Sequence, residues 1–136
     1  MRSENMKTVL VFGTFDGLHH GHVYFLKKAR NFGDRLVASV ARDSFVNNFK
    51  RKDPKRSETE RMEDLRKSGL VDEVCLSDRE TGSYQLVSEL KPEVICFGHD
   101  QDLLREDFLE WRDKHKMNIE THTNIETHTI DKYEFQ

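Results

Sequence analysis

Apolar residues along this chain come in short blocks separated by glycine, proline and charge, and the blocks alternate between two periods. Val9-Leu10-Val11-Phe12 is a continuous apolar run that reads as a buried strand, broken by Gly13-Thr14-Phe15-Asp16-Gly17. The period then changes. Val23, Phe25, Leu26, Ala29 and Phe32 recur at helical spacing, in a helix pattern that begins near Gly21, has Lys27, Lys28 and Arg30 on its wet side and is stopped by Gly33. Leu36 to Ala41 is a second buried strand, so the first β-α-β unit is complete by Arg42 and is expected to be right-handed with parallel strands. Asp43 to Phe49 reads as a short helix. Lys50 to Arg56, five cations in seven residues around Pro54, reads as a loop.

The second half repeats the alternation. Ser57 stands three residues before Glu60, the capping-box spacing, and the helix it opens carries Met62 and Leu65 inward and ends at Ser68-Gly69. Val71 to Leu76 is a third strand, Thr81-Gly82-Ser83 a turn, and Tyr84 to Leu90 a helix closed by Lys91-Pro92. Glu93 to Gly98 is a fourth strand that also ends in glycine, followed by His99-Asp100-Gln101. Asp102 to Lys116 is an amphipathic helix with Leu103, Leu104, Phe108, Leu109 and Trp111 as its apolar set. Such alternation predicts an α/β fold, a doubly wound parallel sheet of about five strands with helices on both faces. Ligands bind beyond the carboxyl ends of strands at the switch point of such sheets. The Gly13–His22 and Gly98–Gln101 loops are therefore expected to line one crevice.

One direct repeat stands in the tail: Asn118-Ile119-Glu120-Thr121-His122-Thr123 recurs unchanged as Asn124 to Thr129. An even shift preserves which side chains face inward on a strand. Either one copy pairs at the sheet edge or both form one long strand, and the repeat itself suggests no function.

Composition narrows the class. A length of 136 residues fits one domain, 1–136, in which the polar residues 1–6 are expected to be a disordered lead-in. Apolar and charged residues are each 35%, which fits a thin sheet wrapped in charged helices. A net charge of −3 argues against a nucleic-acid partner. No apolar run is long enough to span a membrane and the amino-terminal stretch does not read as a signal peptide, so the expected location is cytoplasmic. Cys75 and Cys96 each sit in an apolar run and are expected to be reduced, buried thiols.

The chemistry concentrates after the first strand. A strand that ends in a glycine-punctuated loop and feeds a helix amino terminus holds phosphate, because loop amides and the helix dipole point at the anion. Neither G-x-x-x-x-G-K-[ST] nor G-x-G-x-x-G is present. His19 and His22, three apart with Gly21 between them, must supply what lysine or extra glycines supply elsewhere. Donors so placed stabilise the charge of a transition state at an α-phosphate. His20 is expected to point outward as a bystander. The remaining histidines are scattered, with no zinc ligand set at standard spacing, so no protein-held metal is expected. Asp100 is a candidate for hydrogen bonds to a sugar or base. Lys50, Lys52 and Arg61 are candidates for an anionic second substrate.

At Gly13-Thr14-Phe15-Asp16 and His19-His20-Gly21-His22 the chain resembles the cytidylyltransferase family of nucleotidyltransferases, and the similarity runs from Lys7 to about Tyr133. The resemblance implies a Rossmann-like fold and attack by a substrate phosphate on the α-phosphate of a nucleoside triphosphate, releasing pyrophosphate without a covalent enzyme intermediate. It implies Mg2+ bound with the triphosphate, and a homodimer. It assigns His19 and His22 to the transition state, Thr14 and Phe15 to the triphosphate, Asp100 to the nucleoside, and Gly13, Gly21 and Tyr133 to nucleotide binding. Within the family, Val40-Ala41-Arg42-Asp43 and Lys91 to Gln101 look most like the archaeal-type FAD synthases, which transfer AMP from ATP to FMN. The glycerol-3-phosphate cytidylyltransferases, which use CTP and glycerol 3-phosphate, are similar in length but typically carry a tryptophan where this chain has Gln101. Many members also carry a late I-S-[ST]-T segment that is absent here. Its absence points to a rival reading, a nucleotide-binding module without catalysis.

Overall fold

The structure is a computed structural model that describes residues 6–49 and 53–122. The elements run β1 (Thr8–Gly13), α1 (His20–Arg30), β2 (Arg35–Val40), α2 (Asp43–Phe49), α3 (Glu58–Ser68), β3 (Glu73–Leu76), α4 (Gln85–Leu90), β4 (Val94–Cys96), α5 (Asp102–Lys114) and β5 (Glu120–His122). The strands form one parallel sheet in the order β3-β2-β1-β4-β5. The chain winds outward from β1 through β2 to β3, then crosses back to β4 on the other side. The switch point lies between β1 and β4, which pair in register from Val9 with Val94 to Val11 with Cys96.

Alternation along β1 divides the core into two layers. Val9 and Val11 face α1 and α3, where they meet Leu26, Ala29 and Leu65; Leu10 faces the layer of α4 and α5 with Val87, Phe97 and Phe108. Both layers are buried against the central strands, so the sheet is doubly wound. Their burial orients β1 so that its carboxyl end emerges where the two layers part.

Several boundaries move for local reasons. The helix expected to begin near Gly21 starts at His20, because His19 caps it. Ser57 and Glu60 close the expected capping box: Glu60 N–H donates to Ser57 Oγ at 3.1 Å and Ser57 N–H to Glu60 Oε1 at 2.9 Å. The third strand begins at Glu73, since Asp72 turns aside to accept the Leu36 N–H at 2.8 Å. Leu103, expected on the apolar face of α5, is instead 84% exposed, while Phe108 of the same helix is fully buried. Cys96 is buried and Cys75 half-buried, both as free thiols. Burial pushes the Cys75 thiol up to about 11 and the Cys96 thiol to about 12. The first copy of the repeat supplies β5, and the second lies outside the described residues. No described helix is long and apolar enough to cross a membrane.

Phe108 holds the second layer together, with its ring centroid 5.4 Å from Tyr84 and 5.9 Å from both Phe97 and Trp111. Phe108→Ala is expected to lower the unfolding free energy in urea by about 3–5 kcal/mol. A loss under about 1 kcal/mol would show that this layer is not a packed core.

Candidate active site

The loop after β1 is shaped by its own side chains. Phe15 adopts a left-handed backbone (φ 53°) with its ring buried, a conformation that costs an L-residue about 1–2 kcal/mol and persists only where packing over-determines it. Gly13 makes room for that ring. A Cβ there would lie 2.6 Å from Phe15 Cε2 and 2.7 Å from its Cζ. Phe15 is thus the loop's anchor in the core, and only its backbone is presented to a ligand.

At the loop's end the histidines cap α1. Gly21 N–H donates to His19 Nδ1 at 3.0 Å, and His19 N–H donates to His22 Nδ1 at 3.3 Å, a capping box built from two imidazoles. The rings stack with centroids 3.8 Å apart, and Phe15 supports the His22 ring from 5.4 Å. A ring nitrogen that accepts a backbone N–H carries no proton, so the neutral ring holds its proton on Nε2. The cap therefore sets one tautomer in both rings and makes Nε2–H the donor of each. These donors stand at the amino end of α1, where the helix dipole adds a partial positive charge. His20 is exposed, as is His19. The Gly21 amide is taken up by the His19 cap.

Three contacts from distant parts of the chain hold this loop. Asp16 accepts the Lys55 N–H at 2.8 Å and the Arg56 N–H at 2.9 Å, tying the basic segment to the loop. Burial works to raise the Asp16 carboxyl, but these two backbone donors, with Arg61 and Lys55 nearby, bring it below the usual carboxylate value. Arg61 is fully buried. Its Nη1 donates to Thr14 O and Ala41 O at 2.8 Å each, its Nη2 to Asp43 Oδ1 at 2.7 Å and its Nε to Arg56 O at 3.0 Å. The expectation that Arg61 meets an anionic substrate is corrected. Its guanidinium is spent inside the protein, bracing the loop. Gln101 closes the third side, donating to Phe12 O and accepting from Gly98 N–H, both at 2.8 Å. It ties the Gly98–Gln101 loop to the end of β1 across the switch point.

Asp100 is exposed at this junction, its Oδ1 3.4 Å from where a Cβ on Gly98 would stand. Lys50, Lys52 and Tyr133 lie outside the described residues. Of the basic segment, Lys55 is exposed and Arg56 forms a two-pronged pair with Asp64, at 2.6 and 3.0 Å. On the other flank Ala41 N–H donates to Gly13 O at 2.9 Å, and directly beyond it opens a cleft of about 420 Å³ at the ends of β2 and β3. Arg42, Ser77, Asp78, Arg79 and Gln85 line it, and Arg42 Nε is fixed to Ser77 O at 2.8 Å. Among the described residues no group of three or more His, Cys, Asp or Glu side chains converges to hold a metal ion.

Asp16 and Gln101 belonged to recognisable motifs without an assigned structural role. The signal for Arg61 was its phase: it lies four residues before buried Leu65, on the inward face of its helix.

A family model described as Cytidylyltransferase-like matches residues 10–134. The chain is 40% identical over 112 residues to an FAD synthase of Thermococcus onnurineus, covering 82% of this chain and 75% of that one. It is 38% identical over 120 residues to an FAD synthase of Pyrococcus horikoshii, covering 88% and 81%. Among solved structures it is similar to the lipopolysaccharide core biosynthesis protein of Thermoplasma volcanium, with TM-score 0.82, 31% identity and coverage of 91% of this chain and 99% of that one.

Two variants test how the loop is held. Removing the buried guanidinium in Arg61→Ala strands three carbonyls and a carboxylate, so stability in urea should fall by about 3 kcal/mol or more. A change within about 0.5 kcal/mol would contradict the bracing role. Asp16 titrates lower folded than unfolded, so its contribution is complete above about pH 4 and disappears as pH falls through the folded value. Asp16→Ala should thus be less stable than the parent at pH 7 and converge with it in acid. A stability gap that stays the same from pH 7 down into strong acid would contradict this.

Proposed function

The chain belongs to the cytidylyltransferase-like family, and from that premise we propose that it is a nucleotidyltransferase that joins AMP from ATP to FMN, forming FAD and pyrophosphate. The observation that carries the acceptor is the likeness to FAD synthases over more than four-fifths of the chain. The loop and its histidines supply the chemistry.

In this reading the triphosphate lies along the loop from Gly13 to Gly17, with the α-phosphate at the amino end of α1. Backbone amides of the loop meet its oxygens, and the dipole of α1 adds partial positive charge. The Nε2–H groups of His19 and His22 donate to the non-bridging oxygens of the α-phosphate, where charge grows as the reaction proceeds. A phosphate oxygen of FMN attacks the α-phosphorus, the bond to the oxygen bridging to the β-phosphate breaks, and pyrophosphate leaves with that electron pair. The attacking phosphate is already ionised at neutral pH, so no proton has to be removed and no general base is required. Oriented donors and a rigid cradle suffice, which is what this loop offers. When bound with the triphosphate, Mg2+ neutralises charge on the departing pyrophosphate. Asp100 is assigned to the nucleoside and the cleft beyond Ala41 to the flavin ring system, with Arg42 and Arg79 on its wall. Its volume of about 420 Å³ lies in the range of small-molecule sites. Lys50 and Lys52 remain candidates for the FMN phosphate, and Tyr133 for the nucleotide.

Pyrophosphate release by the purified protein with Mg2+, ATP and FMN is the direct test, run beside CTP and glycerol 3-phosphate. ATP with FMN should be the active pair, and His22→Ala should lose about 10²-fold or more of its rate, the scale for removing a transition-state donor. Activity only with CTP and glycerol 3-phosphate would overturn the acceptor. Nucleotide binding without turnover across a broad acceptor panel would make the chain a binding module.

A further inference from the structure

The repeat is the one sequence motif that the site does not absorb. Its first copy makes a defined set of contacts at the sheet edge. Glu120, Thr121 and His122 pair with Val94, Ile95 and Cys96, Glu120 N–H donates to Glu93 O at 3.0 Å, and Phe97 N–H donates to His122 O at 2.9 Å. Ile119, 5% exposed, enters the layer of Phe97 and Phe108. The His122 ring stacks on Phe32 with centroids 3.8 Å apart. Each side chain in these contacts recurs six residues later: Ile125, Glu126, Thr127 and His128. A shift of six is even, so every inward residue is replaced by an identical inward residue.

We propose that the position beside β4 is a slot with two interchangeable occupants, the first and second copies of Asn-Ile-Glu-Thr-His-Thr, so that β5 exists in two registers six residues apart. The strand contacts are the same in both registers, and what differs is the connection from α5. It spans 115–119 in one register and 115–125 in the other, five residues against eleven. The entropy of closing the longer loop favours the first copy by about threefold. Half-buried Met117, which precedes only the first copy, adds to that preference. Because β5 runs parallel to β4, its carboxyl end at His122 lies beside Cys96, on the side of the Gly98–Gln101 loop. The register therefore sets how much chain separates the edge strand from Tyr133, ten residues or four.

Three full-length variants test this: Ile119→Asp, Ile125→Asp and the pair combined, compared by urea unfolding. A buried aspartate in the slot is strongly unfavourable, but a single substitution leaves the other copy intact. Ile125→Asp should leave stability nearly unchanged. Ile119→Asp should raise the unfolding constant only several-fold, about fourfold from the loop term alone. The double variant should raise it by about a hundredfold or more, or fail to fold. Amide-exchange protection, found at Glu120–His122 in the parent, should move to Glu126–His128 in Ile119→Asp. If Ile119→Asp is as damaging as the double variant, or Ile125→Asp alone is severely damaging, the second copy is no substitute and the proposal fails.

Discussion

The interaction on which the site depends is the pair of hydrogen bonds that ends the loop after β1: Gly21 N–H to His19 Nδ1, and His19 N–H to His22 Nδ1. A helix amino terminus needs acceptors for its first amides, a need usually met by serine, threonine or aspartate. Here the acceptors are imidazoles, and meeting the backbone's demand consumes Nδ1 of both rings. The remaining donor of each ring is then fixed in identity and direction by secondary structure. A serine cap would satisfy the helix but bring no second donor, and a carboxylate would repel a phosphate. Histidine caps with one nitrogen and donates with the other.

That arrangement works only if the loop cannot relax, and the fold restrains it from three directions. Arg61 reaches from α3 to Thr14, Asp16 reaches back to the Lys55 and Arg56 amides, and Gln101 spans from the β4 side to Phe12. The strained backbone of Phe15 is affordable because its ring is locked over Gly13. Each restraint joins elements that are distant in sequence and converge only because the sheet order places β1 at its centre. The same order brings β2 beside β1, and the cleft lies at the ends of β2 and β3 on that flank.

Much of this was legible in the chain. Val9–Phe12 and Leu36–Ala41 could only be buried strands, Ser57 and Glu60 announced their helix, and the two glycine-ended strands pointed to the switch point. The histidines were found because they follow a strand and precede a helix. Less legible were the polar residues that turn inward. Arg61 and the cations before it look alike as letters, but helical phase puts Arg61 in the core while Arg56 pairs with Asp64 at the surface. Asp16 was visible as part of a motif, but its partners are backbone amides some forty residues away, which no local pattern encodes. Leu103 shows the converse: the spacing placed it on the apolar face, yet it is its neighbour Leu104 that packs against the layer Phe108 fills, while Leu103 is exposed.

The helix cap fixes both imidazoles as Nε2–H donors. Heteronuclear NMR of the imidazole nitrogens reads this directly at a pH where both rings are neutral. His19 and His22 should both show a protonated Nε2 and a bare Nδ1. A proton on Nδ1 of either ring would mean that the ring does not cap the helix, and would contradict this assignment.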